Sequence, residues 1–308
     1  MRVLIFPVLA LLIAAAPPPA AITLPVEAPI MASINSEAVS LSLATGGVDR
    51  ITLNADTVAR LGLKPAMLMG KANLKVGRTK VLNGRNTPAK VSLFGQAVNQ
   101  RVFWFEGAAL LPRQGSIGPF ALPQGQVTVQ LQPSVGAGAG RDFSLPLFGD
   151  LNSGGYGVVR GAGYGFGLSV DVVGRSRLAV ASAAVGADLA AALGGRLEGE
   201  PWQEEIIFGI TRPVRRLVLD KPLEIGPFRL TEIAVRVTDR RDGTAQLAAG
   251  QQAVTDAEDD PAEIVVSGDS GKKRQVVRVL TLSRIQLDAA GCRAIRYDKP
   301  GGQLVLSC

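Results

Sequence analysis

No histidine occurs among the 308 residues of the chain, and that absence decides which chemistry the other side chains can do. Ser-His-Asp and Cys-His catalysis both need an imidazole base, and most hydrolytic zinc sites need imidazole ligands. Hydrolysis would have to rest on carboxylates, lysine or serine. Two stretches put such residues beside a glycine turn. Leu41-Ser-Leu-Ala44-Thr45-Gly46-Gly47-Val-Asp49 has Ala44 at the turn and Asp49 beyond it; Leu168-Ser-Val-Asp171-Val-Val-Gly174 has Asp171 at the turn. Two cysteines without histidine do not make a zinc site, so no metal is expected. Gly163-Tyr-Gly-Phe-Gly-Leu168 lacks the Gly-Lys-Ser/Thr of a phosphate loop, and no cofactor is expected either.

The elements that must position these turns are strands. Hydrophobic residues make up 47% of the chain and aromatics 5%, with 36 glycines and 19 prolines, a profile suited to short strands and turns. Alternating patterns mark strands at residues 39–45, 49–53, 73–77, 89–95, 100–107 and 126–132. One helix interrupts them, Asn54 to Leu61, with Asn54 as its cap and Gly62 as its stop. A second block repeats the plan, with strand patterns at 165–174, 175–182, 204–210, 216–220 and 231–239 and a helix from Ala184 to Leu193. Placing Arg50-Ile51 on Arg177-Leu178 puts Gly47 on Gly174 and Ala44 on Asp171. The shared order of strand, turn, strand and helix points to a duplicated β lobe.

The expected fold is therefore all-β: two related lobes with short helices, plus a C-terminal hairpin. Residues 1–22 read as a signal peptide, with one arginine, an apolar run and small residues near Ala16 to Ala21; an uncleaved N-terminal anchor is the alternative. Lobe 1 spans 23–133 and lobe 2 spans 134–250, beginning with a Gly/Ala hinge at Ser134 to Asp142. Residues 251–275 are acidic, then basic, and read as a linker. The tail, 276–308, is a hairpin module in which Cys292 and Cys308 flank a Lys-Pro-Gly-Gly turn. A disulfide closing so short a loop contributes on the order of 3 kcal/mol. Export would permit it and would place the protein in the periplasm or outside the cell, with no membrane span remaining after cleavage. The formal charge of +7 is scattered and matches no nucleic-acid module; it suits solubility and weak attraction to acidic envelope surfaces.

Thr45-Gly46, with Arg60-Leu61-Gly62-Leu63 after it and Gly115-Ser116-Ile117-Gly118-Pro119 later, resembles a lobe of the aspartic peptidases, of both retropepsin-like and pepsin-like type. The resemblance covers residues 35–125 clearly and 160–240 weakly. It implies that Thr45, Gly46, Gly47, Ile117, Gly118 and Gly174 form the scaffold of two catalytic turns. In that family two aspartates, one per lobe, share a proton and hold a water, their pKa values pushed apart by proximity. Here the lobe-1 position is Ala44, which can neither accept a proton nor orient water. Asp171 stands at the lobe-2 position, but Val173 occupies the place of a glycine, and a β-branched residue resists φ > 0.

The resemblance thus implies a catalytically degenerate protein that binds a peptide or an envelope protein in an inter-lobe cleft. An active peptidase using Asp171 in a rearranged or dimeric dyad is the alternative; oligomeric state is open. Asp49 is read as a solvated strand-edge carboxylate rather than a shifted dyad partner. Glu263-Ile-Val-Val-Ser-Gly268 is similar to the box by which outer-membrane receptors add a strand to TonB, or is an ordinary strand leading into the tail. That segment and the hairpin support a third expectation, an envelope scaffold module. Trp104, between Phe103 and Phe105, reads as a packed strand residue, while Trp202 is a loop aromatic of either kind.

Overall fold

Alternate burial along each strand segment turns the sequence pattern into sheets. In Glu37–Leu43 the inward residues Val39, Leu41 and Leu43 are fully buried while their neighbours are not. The computed structural model describes residues 21–76, 79–106, 111–132, 141–151, 154–237 and 278–308. The apolar leader, most of the Ser134 hinge, the 251–275 linker and Glu263 to Gly268 lie outside the described residues.

The first half begins with β1 (Ile22–Pro25), β2 (Ile30–Ile34), β3 (Glu37–Leu43), β4 (Ile51–Leu53) and α1 (Ala55–Arg60). It continues with β5 (Lys71–Val76), β6 (Thr79–Leu93), β7 (Gln96–Glu106), β8 (Gly115–Ile117), a 3-10 turn at Pro119–Ala121, and β9 (Gln126–Gln130). The second half begins with β10 (Asp142–Asp150), β11 (Gly154–Gly161), β12 (Tyr164–Asp171), β13 (Ala179–Ala181) and α2 (Ala183–Leu193). Then come β14 (Gly195–Ile207), β15 (Ile210–Ile225), β16 (Phe228–Arg236), β17 (Val279–Ser283), α3 (Arg284–Ala289), β18 (Ala294–Asp298) and β19 (Gln303–Ser307). The fold is all-β with short helices.

The two halves repeat one strand order. Lobe 1 runs β2-β3-β8-β4-β7-β6-β5, and lobe 2 runs β11-β12-β17-β13-β16-β15-β14. In lobe 1 the additional pairing of β2 with β6 curls the sheet toward a barrel. Registers agree in detail. Leu43 pairs with Ile117 as Val170 pairs with Leu282, and Thr52 pairs with Ser116 as Val180 pairs with Thr281. Ala44 and Asp171 therefore follow equivalent residues. Beyond the turn, Thr52 matches Val180, so the lobe-2 turn is one residue longer and the match of Arg50-Ile51 to Arg177-Leu178 slips by one.

The tail is where the structure departs most from the sequence reading. β17 and α3 are not part of a separate hairpin module. β17 lies between β12 and β13, as β8 lies between β3 and β4, and completes the lobe-2 sheet. β16 and β17, the described strands on either side of residues 238–277, thus belong to one sheet. β18 pairs with β9 of lobe 1 on one side and β19 on the other, and β19 pairs onward with β10. The order β1-β9-β18-β19-β10 makes a sheet that ties both lobes together. Cys292, just before β18, and Cys308, just after β19, are joined by a disulfide; β10 also pairs with β11, and one continuous hydrophobic core runs through the twelve-stranded and the seven-stranded sheet.

Helix ends follow the sequence with one exception. Ser182 caps α2 by accepting from the Val185 N–H, and Gly194 ends it at φ 73°. Asn54 precedes α1 but does not cap it with its side chain. Its amide instead donates to the Leu111 and Arg113 carbonyls and accepts from the Leu111 N–H, fastening the segment that enters β8.

Candidate functional site

Each lobe delivers its turn to the boundary between the lobes at the end of a buried central strand. Ala44 leaves β3 with its N–H donated to the Ile117 carbonyl at 3.0 Å. Thr45 is buried, and its Oγ1 accepts the Val172 N–H across the lobe boundary at 3.0 Å. Gly46 then turns through φ 83°. A Cβ at Gly46 would meet the Asp171 Cβ at 3.0 Å, so both backbone freedom and space require glycine there.

Asp171 ends β12. Its Oδ1 accepts from the N–H groups of Val173 at 3.1 Å and Gly174 at 2.9 Å. A Cβ on Gly174 would lie 2.5 Å from Oδ2, so the turn closes tightly around the carboxylate only with glycine at that position. Val173 does not need the glycine conformation that the resemblance implied for its position. It avoids positive φ altogether, and its half-exposed side chain lines the space between the lobes. The extra residue in this turn is what lets it follow a different path from Gly46. Burial holds the Asp171 carboxyl above the usual carboxylate range, outweighing the two N–H bonds, and the nearby Glu205 charge pushes it further the same way.

Ala44, Thr45, Gly46 and Gly47 from one lobe and Asp171 and Gly174 from the other line a single cavity of about 570 Å³. The tip of the β14–β15 hairpin, Glu204 to Gly209, lines it too. Ile207 packs against Gly47, and the Phe208 ring lies 5.5 Å from that of Phe105 in lobe 1. Glu205 also faces this cavity, its Oε1 accepting the Gly209 N–H at 2.9 Å. Trp202 lies on β14 of the same hairpin and donates to Glu204 Oε2 at 3.0 Å. Among the described residues, no cluster of three or more His, Cys, Asp or Glu side chains could hold a metal ion.

Asp49 overturns its expectation. It is 1% exposed, not solvated, and it does not line the cavity. Its Oδ2 accepts the Phe120 N–H at 3.0 Å at the start of the 3-10 turn, and the Gly155 N–H on β11 adds a second bond. A side chain on Gly118 would sit on the Asp49 carboxylate, which explains why glycine follows Ile117. Lys299, in the β18–β19 turn, donates to the Leu122 carbonyl at 2.7 Å and the Pro119 carbonyl at 3.3 Å. Burial pushes the Asp49 carboxyl up to about 7, partly offset by those N–H bonds and by Lys299.

No family model matches the chain, and no curated protein matches it. Among solved structures it is similar to the EIAV protease complexed with the inhibitor HBY-793. The identity is 18%, over 30% of this chain and 80% of that one, with a TM-score of 0.23.

Ile117 and Gly118 stand behind the lobe-1 turn, and Cys292 and Cys308 lie away from the cavity. Sequence reasoning missed Glu205, Tyr297 and Lys299. Tyr297 is fully buried near Thr45, Asp49 and Asp171, and burial pushes its hydroxyl pKa upward, keeping it neutral. Its inward position was legible from the alternation of Ile295 and Tyr297. Nothing local to Glu205 marks it, because the hairpin that carries it over the site is fixed by pairing with β15 and contact with lobe 1.

Proposed function

We propose that this chain is an exported, peptide-binding protein built on two aspartic-peptidase-like lobes, and that it holds its ligand without cleaving it. The observation that carries this reading is the cavity itself. It lies where both glycine turns meet, yet Ala44 offers no carboxylate opposite Asp171. Without a carboxylate at the Ala44 position, Asp171 lacks the turn-to-turn partner with which a proton-sharing pair divides acid and base roles. A groove covered by a hairpin and lined partly by apolar residues such as Val173 and Ile207 suits an extended peptide. The Cys292–Cys308 disulfide supports an oxidising compartment, in keeping with the apolar leader and a periplasmic or secreted location. Both edges of the β18–β19 hairpin are already paired, so a scaffold role would fall to residues 251–275 rather than to the hairpin.

One observation favours a second reading. Glu205 faces the same cavity as Asp171 and acts on its charge, so the cavity holds a second carboxyl for a rearranged acid–base site.

A random decapeptide pool presented to immobilised protein from pH 3 to pH 8 tests both. The expected result is retention of a subset of intact peptides, lost in an Ala44→Phe variant that fills the cavity. Shortened peptides produced by the native protein, and absent with Asp171→Asn or Glu205→Gln, would replace the first reading with the second. No retention above the Ala44→Phe background would sink peptide binding.

A further inference from the structure

Three consecutive large apolar residues stand out in the loop between α1 and β5. Met67 is 100% exposed, Leu68 80% and Met69 78%. Single exposed apolar residues are ordinary, but a contiguous run of this kind marks a contact surface. The loop is also built to hold its shape. The Ala66 N–H donates to the Asn86 carbonyl at 3.0 Å, and the Asn86 N–H donates to the Gly70 carbonyl at 2.9 Å. The buried Asn86 amide donates to the Met69 carbonyl at 3.0 Å and the Lys71 carbonyl at 3.3 Å, while Arg101 donates to its oxygen. Met69 takes φ 56° to complete the bend. Ala66, Met69, Gly70 and Lys71 are thus pinned to Asn86, and the three apolar side chains form an exposed knuckle.

The sequence around this knuckle is basic, with Glu106 entering beside it only through its pairing with Arg85, the cross-strand neighbour of Lys71. All nine charged residues between Asp56 and Glu106 are Lys or Arg. Lys64 and Lys71 bracket the apolar run and are exposed. An exposed apolar tip with a cationic rim is complementary to a surface that is apolar within and anionic at its face. Among the described residues no helix is long and apolar enough to cross a membrane.

We propose that Met67, Leu68 and Met69 insert into the interfacial layer of an anionic lipid bilayer, with Lys64 and Lys71 at headgroup level. The cavity then works beside a membrane surface, whatever ligand it holds.

Flotation of the full chain with phosphatidylglycerol and phosphatidylcholine vesicles tests this. The expected result is co-flotation with the anionic vesicles, weakening as salt rises. Binding should fall about tenfold or more in the Met67→Ser/Leu68→Ser/Met69→Ser variant, and roughly fivefold per lysine in Lys64→Gln and Lys71→Gln. An unchanged thermal transition in these variants separates lost contact from lost fold. A Met67→Trp variant should show indole quenching by brominated lipid. Failure of the native chain to float with anionic vesicles, equal flotation of the triple serine variant, or an unquenched indole in floated protein would each overturn the bilayer assignment and leave the knuckle as a protein-docking element.

Discussion

Asp49 is a carboxyl that folding makes harder to ionise. Its folded pKa, about 7, stands above the ordinary value of 3.8. The folded state therefore holds its proton more tightly than the unfolded chain does. The associated stability is fully present below about pH 4 and is lost as pH rises through about 7, with a total on the order of 4 kcal/mol. Asp171 is raised by burial too and acts in the same direction. The groups facing Asp49 are the Phe120 and Gly155 N–H donors, Lys299 and Asp150; only Lys299 holds the pKa down by charge. Asp49→Asn keeps an acceptor for the Phe120 N–H and removes the ionisation. Urea denaturation across pH 4 to 8 should show the variant flatter than the native protein and more stable at pH 8. A slope as steep as the native one would assign the effect to other groups.

At the scale of elements, the β14–β15 hairpin reaches from lobe 2 to lobe 1, and the Phe105–Phe208 ring contact fastens its tip. Such a pair contributes about 0.5–1.5 kcal/mol beyond its buried area. Phe208→Ala should therefore raise amide exchange at residues 204–212 roughly threefold to tenfold and leave global stability nearly unchanged; unchanged exchange would mean the ring contact does not fasten the tip. The strands themselves were legible, because alternation follows directly from one buried face, as in Glu37–Leu43 and Gln126–Gln130. Both helices of the strand-turn-strand-helix units were legible from their stop glycines. What periodicity could not reveal was pairing. Val279–Ser283 reads as a strand on its own, but only the gap between β12 and β13 makes it part of lobe 2. The burial of Asp49 was hidden for the same reason, since Phe120, Gly155 and Lys299 come from three distant segments. A cleft between Ala44 and Asp171 was implied by the resemblance, whereas Glu205 depended on where a hairpin bends.

At the scale of the whole molecule, the tail is not an appendage. A chain ending at residue 275 would lack β17 from the middle of the lobe-2 sheet and β18 from the flank of β9. It should show no cooperative thermal transition by calorimetry, whereas a tail that were a separate module would leave the lobe transition intact. The truncated chain is also a state through which synthesis must pass. β9 is made with lobe 1, but the strand that covers its second edge emerges only after most of lobe 2. Until then the first-made lobe carries a bare sheet edge open to wrong partners. Late pairing of this kind is slow. The order of manufacture therefore keeps the first-made lobe unfinished until β18 arrives.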